Sequence, residues 1–361
     1  MSELKTVANE SGLEYKIVGN KVIITGVNSD VINIEIPDEI DGKLVTGIAD
    51  NAFSYMTDLV SVKLGANIKT IGGEAFANSS IKEITIPNTV TDVEHQCFKN
   101  CRNLYSVKWN SDCAIPYECF MGCSSLKHFD FSKCKGIEGW AFSFSGIKEI
   151  TIPNNVKLIK EGVFFHCEML EKVKWEAETS TIADNTFCGC KNLKKFNFGN
   201  IDVIGLYVFS ESGLEEVDLS SNTKKVHSNA FSDCLNLKKV TWGCPCIIPS
   251  EAFASCSNLE DVCITSVNTF RYGNFISEDA FDECEKVQVR YGIDLVKILK
   301  ERYPKGTKIY INSMNDNSNS VERGSIGEVL MVDNLGTIHC RFDNGRMLDV
   351  IPKVDSFRKI E

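Results

Sequence analysis

Hydrophobic and polar positions along the chain follow a fixed period. Phenylalanine recurs at Phe53, Phe76, Phe98, Phe120, Phe142, Phe164, Phe187, Phe209, Phe231, Phe253 and Phe281, with spacings of 22 or 23 residues until a final gap of 28. Five residues before each stands Ile or Val: Ile48, Ile71, Val93, Ile115, Ile137, Ile159, Ile182, Ile204, Val226, Ile248 and Ile276. Three residues after it comes Cys or Ser in every unit but the first, which has Met56, and an aliphatic anchor such as Leu104 or Leu170 follows. Each unit then closes on an alternating segment, for example Val62-x-Leu64, Ile84-x-Ile86, Val107-x-Trp109 and Phe129-x-Phe131. Alternation with period two predicts a short strand with one face buried.

One such unit is too short to close a core, so the units must stack and bury a shared apolar column. Successive strands are expected to pair in parallel, about 4.8 Å apart. Phe and its preceding Ile then fill the column from the opposite wall, and the Cys lies under a tight turn that excludes bulk. The prediction is a repeat solenoid at 45–292 of about eleven units of 22–23 residues, behind an N-terminal cap at 1–44.

The unit Ile-x4-Phe-x2-Cys-x2-Leu-x2-Val-x-Ile/Trp, with Ile86-Pro87-Asn88 and Ile152-Pro153-Asn154 after two strands, resembles the BspA-like leucine-rich repeat family. The segments Gly12–Ile17, Ile34–Pro37 and Val45–Ile48 are similar to that family's N-terminal cap. The resemblance covers about residues 12–292. It implies a leucine-rich repeat fold and relatives that are mostly surface proteins binding other proteins.

Past Phe281 the pattern decays. Val287–Tyr291 reads as a last strand, and Ile293, Val296, Leu299 and Tyr303 have helical spacing before Pro304, predicting a capping or linking helix at 293–304. Beyond Lys305 the period is lost. Strand candidates at 308–312, 327–333, 337–343, 347–352 and 357–360, with a hairpin turn at Asp343-Asn344-Gly345, predict a small SH3-like all-β barrel at 305–361. Lys305-Gly-Thr-Lys-Ile, Gly324-x2-Gly327-x-Val329, Phe342-Asp-Asn-Gly345 and Ile351-Pro352 resemble a small bacterial and phage domain of unassigned function.

Composition narrows the chemistry. The charge of −10 argues against a nucleic-acid backbone as main partner, since phosphate binding needs clustered Lys and Arg. No apolar run reaches the roughly 20 residues of a membrane span. The opening Met1–Glu10 lacks a basic segment followed by an apolar one, from which a cytoplasmic location is expected. Sixteen cysteines invite a disulfide framework or a metal site. Seven of them, however, occupy the small-residue position of the repeat, where Ser and Met also stand, and reduced buried thiols are expected. Cys119/Cys123, Cys188/Cys190 and Cys244/Cys246 have ligand-like spacing, but no second close pair with His follows, and no metal or cofactor is expected. His128 and Asp130 are a candidate acid–base pair, on the exposed face of one predicted strand. Phosphate-loop and nucleophile-elbow motifs are absent, so an enzyme is not expected.

The remaining candidate is the solvent-facing row of the strands, on the concave face of the expected solenoid. It carries Lys63, Glu83, Lys108, His128, Asp130, Glu149, Lys172, Lys174, Lys195, Glu216 and Lys239, with Lys172, Lys174 and Lys195 expected to form a basic patch. A face with both signs of charge suits a protein or peptide ligand. The sequence therefore reads as a non-catalytic protein-interaction scaffold. Two alternatives stay open: a surface adhesin exported by a non-classical route, and a nucleic-acid-associated factor acting through the terminal barrel.

Overall fold

A computed structural model describes residues 7–8, 12–28, 31–219, 222–265, 276–313, 321–350 and 356–360. Residues 1–6, residues 314–320 and the Ile351-Pro352 pair lie outside the described residues. The chain forms two compact units, Met1–Leu193 and Lys194–Glu361.

In the first unit the alternating segments form the expected parallel ladder. Strands Asn33–Glu35, Ser61–Lys63, Glu83–Ile86 and Ser106–Trp109 pair in that order, and Glu149–Ile152 pairs with Lys172–Trp175. Inward residues such as Val62, Ile84, Ile86, Trp109 and Ile150 are buried. The ladder is not continuous, contrary to the sequence reading. Residues 127–131 are not a strand. Here the two inward positions are both Phe: the Phe129 ring lies 5.4 Å from Phe120 and 5.0 Å from Phe142, and Phe131 lies 5.3 Å from Phe142. In the strands that form, at least one of the two inward side chains is aliphatic, as in Val107 with Trp109; two rings in that space hold the backbone off strand geometry. The second unit repeats this at 194–198, where Phe196 and Phe198 lie 5.0 and 5.4 Å from Phe209.

The Ile/Val position forms a second ladder that periodicity did not reveal. Ile48 pairs with Ile71 and Ile71 with Val93, each on a two- to six-residue strand, and Ile115, Ile137 and Ile159 continue the pattern. The N-terminal hairpin Leu13–Val18 and Lys21–Val27 joins this ladder through parallel pairing with Lys43–Ile48.

Between the two ladders runs a third wall, made of the turns that carry Phe. The residues two before and two after Phe adopt left-handed backbone: Asn51 and Tyr55, Glu74 and Asn78, Gln96 and Asn100, Trp140 and Phe144. This alternation points every second N–H at the following unit. Asn51, Phe53 and Tyr55 donate to the carbonyls of Gly73, Ala75 and Ala77, and Gln96, Phe98 and Asn100 donate to those of Tyr117, Cys119 and Met121. Polar backbone that burial would orphan is thus satisfied between units. Inside the wall the Phe rings stack: neighbouring centroids from Phe53 to Phe187 lie 5.3–5.8 Å apart.

The repeat cysteines have a bonding role in addition to their small size. Cys101, Cys123 and Cys167 donate their thiol hydrogens to the carbonyls of Phe76, Phe98 and Phe142, at 3.0, 3.2 and 3.1 Å. In the second unit Cys234, Cys256 and Cys284 do the same to Phe209, Phe231 and Phe253. Burial pushes Cys101 and Cys167 up to about 11, so both stay protonated donors at neutral pH. Fourteen cysteines are free thiols, as expected, but Cys244 and Cys246 are not. The Pro245 turn brings their Cα atoms to 5.3 Å and they are joined as a disulfide, which corrects the expectation of reduced thiols at this pair.

The second unit continues with parallel strands Glu216–Leu219, Lys239–Trp242, Asp261–Ile264 and Gln288–Tyr291. The expected helix runs Ile293–Arg302 and buries Val296 and Leu299, while the Tyr303 ring lies 5.7 Å from Phe357. It therefore joins the last repeat strand to the C-terminal domain. All five expected strands of that domain are present, at Lys308–Ser313, Ile326–Val332, Ile338–Phe342, Met347–Val350 and Ser356–Lys359. They form one antiparallel meander in which the last strand returns beside the first, as in a small β-barrel.

Candidate functional site

In the first ladder, alternation turns residues 61 and 63, 83 and 85, and 106 and 108 outward. They line a shallow groove of ≈ 350 Å³ that includes Pro87 at one end. Parallel register sets Ser61 beside Glu83, Glu83 beside Ser106, and Thr85 beside Lys108. Lys63 bonds Glu35 at 2.6 Å, and Ser61 donates to Asn33 at 2.6 Å. Glu83 and Lys108 are exposed and have no ion-pair partner among the described residues. The groove thus offers one free carboxylate, one free ammonium and three hydroxyls on a rigid ladder. Such a set can bind backbone amides and charged side chains.

The other expected residues are all exposed, but not all in one arrangement. His128 and Asp130 lie in the interrupted segment at 127–131, and Asp130 accepts the Ser132 N–H at 2.9 Å. The two side chains share no hydrogen bond among the described residues, so the strand that was to align them as an acid–base pair does not form. Lys172 bonds Glu149 at 2.7 Å, and Lys174 bonds Glu176 at 2.6 Å. Hydrogen bonding and the charge of Lys172 hold the Glu149 carboxyl below its ordinary range and raise Lys172 in turn. The two lysines therefore present paired charge. In the second unit Lys195 lies outside any strand, while Glu216 stands beside Lys239 in register and Lys239 beside Asp261.

Sequence reasoning missed an aromatic cluster on the turn wall. Trp140 packs edge-on to Phe165 at 5.0 Å, and Phe144 lies 5.6 Å from Phe165 and stacks on His166 at 5.3 Å. Phe144 is 47% exposed. Gly162 lets the Trp140 ring lie flat, since a Cβ there would meet it at 2.6 Å. The signal was present in the sequence: Trp140, Phe144 and His166 stand at left-handed positions that several other units fill with Asn or Gly.

The sequence was compared with known families and structures. The family described as BspA type leucine rich repeat region matches in six copies, at 46–171, 113–238 and 157–288. A domain of unknown function, DUF4314, matches at 293–360, a span that includes the helix. Among solved structures, a leucine-rich repeat protein from Bacteroides ovatus is 19% identical, with 77% of this chain and 98% of that chain covered at a TM-score of 0.43. A leucine rich cell surface protein from Faecalibacterium prausnitzii is 19% identical, with 81% and 96% covered and a TM-score of 0.46. The pneumococcal vaccine antigen PcpA is 16% identical, with 82% and 96% covered and a TM-score of 0.48. No curated protein matches the chain. Among the described residues no helix is long and apolar enough to cross a membrane.

Proposed function

Because the chain belongs to the BspA-type leucine-rich repeat family, whose membership supports a protein-interaction or surface-protein role, we propose that it is a non-catalytic scaffold. It recognises a protein or peptide on the outward strand face, at the groove of Glu83, Thr85 and Lys108. The observation that carries this reading is the unneutralised pair Glu83 and Lys108 in a groove whose other charge, at Lys63, is already paired, as are Lys172 and Lys174 on the separate sheet at 149–175. Unpaired opposite charges at fixed spacing set the register of a partner and speed its encounter. The rigid backbone beneath them keeps the ordering cost of binding low.

Affinity capture of the tagged chain from its native cells, beside the variant Glu83→Lys/Lys108→Glu, tests the reading. A specific partner should fall about tenfold or more in the variant, the effect of losing two complementary contacts. A partner recovered equally by both chains uses some other surface.

Buried free thiols support a cytoplasmic setting for this activity. The second reading, a surface protein, is favoured by the Cys244–Cys246 disulfide. Protease treatment of intact cells separates the two: protection until lysis fits the first, digestion in intact cells the second.

A further inference from the structure

Among the described residues, the repeat sheet of the second unit ends on Gln288–Tyr291, which pairs in parallel with Asp261–Ile264 on one side only. Gln288 donates to the Glu260 carbonyl at 2.8 Å and Gly292 to the Ile264 carbonyl at 2.9 Å. Alternation therefore turns the backbone of Val289 away from the sheet, and its N–H and C=O have no partner among the described residues. A free edge of this kind is what an incoming strand pairs with, and proteins commonly shield it with a bulge, a proline or a cover. The strand has no Pro and no register shift.

Facing the edge is the turn Asp333–Thr337 of the C-terminal domain, and the two border a groove of ≈ 780 Å³. The turn is held firmly. The Asp333 carboxylate accepts the N–H groups of Leu335 at 2.8 Å and Thr337 at 2.9 Å, and Lys300 on the helix donates to Asn334 at 2.7 Å. Gly336 adopts left-handed backbone at φ +87° and approaches Tyr291 so closely that a Cβ would meet the ring at 2.7 Å. Leu335 is 70% exposed and lies along the groove. Arg290 is locked to Asp261 by two bonds at 2.7 and 2.8 Å, and Glu260 and Lys286 add one charge of each sign, so the lining carries no excess charge to select an anion or a cation.

We propose that this groove is a strand-addition site, in which an extended peptide segment of a partner protein pairs with the Val289 edge and sets an apolar side chain against Leu335. Main-chain bonds supply affinity in such sites and the alternate side-chain pockets supply selectivity. A second copy of this chain does not fit the role. Its own Gln288–Tyr291 edge would carry its own Asp333–Thr337 turn into the same space. The site uses no residue of the Glu83–Lys108 groove, so it stands or falls apart from the proposed strand-face recognition.

The test uses the full chain and a fluorescein-labelled peptide of sequence Lys238-Lys-Val-Thr-Trp-Gly243. That segment contains the strand Lys239–Trp242, which pairs with Asp261–Ile264 on its other side, and so resembles the next rung of the ladder. Anisotropy should show saturable binding, and the Val289 amide resonance should shift as the peptide binds. Val289→Pro removes the outward N–H without touching an inward bond, a position where an edge strand tolerates proline. It should weaken binding about tenfold. Leu335→Asp should weaken it too, and decides the matter together with the amide shift if the proline variant does not fold. Equal binding by the folded variants, an unmoved Val289 amide, or no saturation up to about millimolar peptide overturns the proposal. So does concentration-dependent dimerisation that Val289→Pro abolishes, since the edge is then held by a second copy.

Discussion

The thiol at the third position after Phe shows how one atom serves the repeat. Cys123 fills a buried space and donates to the Phe98 carbonyl; Ser145 at the same place in its unit lies 3.3 Å from the Cys167 sulfur. Cys123→Ala keeps most of the volume but removes the donor, and should cost about 1 kcal/mol in urea unfolding. Phe98 is a larger matter, its ring stacked 5.3 Å from Phe76 and 5.4 Å from Phe120. Phe98→Ala should cost about 3–5 kcal/mol through the cavity it leaves. Hydrogen exchange should show the loss spreading to the adjoining units, because neighbouring units hold each other. The buried thiols also set a pH dependence. Unfolded thiols ionise near 9.0, whereas Cys101 and Cys167 stay protonated to about 11 in the fold. Their contribution is whole below pH 9 and is lost as pH rises toward 11, because the unfolded chain then binds fewer protons. Urea midpoints of the wild type and of Cys101→Ser/Cys167→Ser, taken from pH 8 to 10.5, should converge with rising pH. A constant difference would contradict this account.

At the scale of elements, the strands at 83–86, 149–152 and 239–242 were legible because one side chain in two is apolar and the period counts them. The second ladder was not, since a two-residue strand is too short to alternate. The turn wall was half legible. Asn51, Asn78 and Asn100 mark left-handed backbone, but Trp140 and Phe144 hold the same conformation without the usual residue type. Phe129-x-Phe131 alternates as well as any strand segment; ring volume, which a binary pattern ignores, breaks the ladder there. The wall makes its own prediction. Asn78→Val puts a β-branched side chain on left-handed backbone at φ 59° and should cost about 1–2 kcal/mol, whereas Asn78→Gly should be nearly neutral. Thermal unfolding of the two variants decides it.

For the whole molecule, periodicity located the outward row and side-chain identity gave its charges. Which charges are spent was out of reach, because Lys63 with Glu35 and Lys174 with Glu176 depend on rotamers and on strands that register brings together. Among the described residues only Glu83 and Lys108 remain unneutralised in the groove at 61–108, and the account of recognition rests on them. The C-terminal meander was legible strand by strand, while the free edge at Val289 became visible only with the sheet order. The most direct test of recognition places a photo-cross-linking residue at Thr85, between Glu83 and Lys108, and another at Asn51 on the turn wall, each in the native cell. The account predicts one specific adduct from Thr85 that disappears in Glu83→Lys/Lys108→Glu, with none shared by Asn51. An adduct from Asn51 alone, or a Thr85 adduct indifferent to the charge reversal, would contradict it.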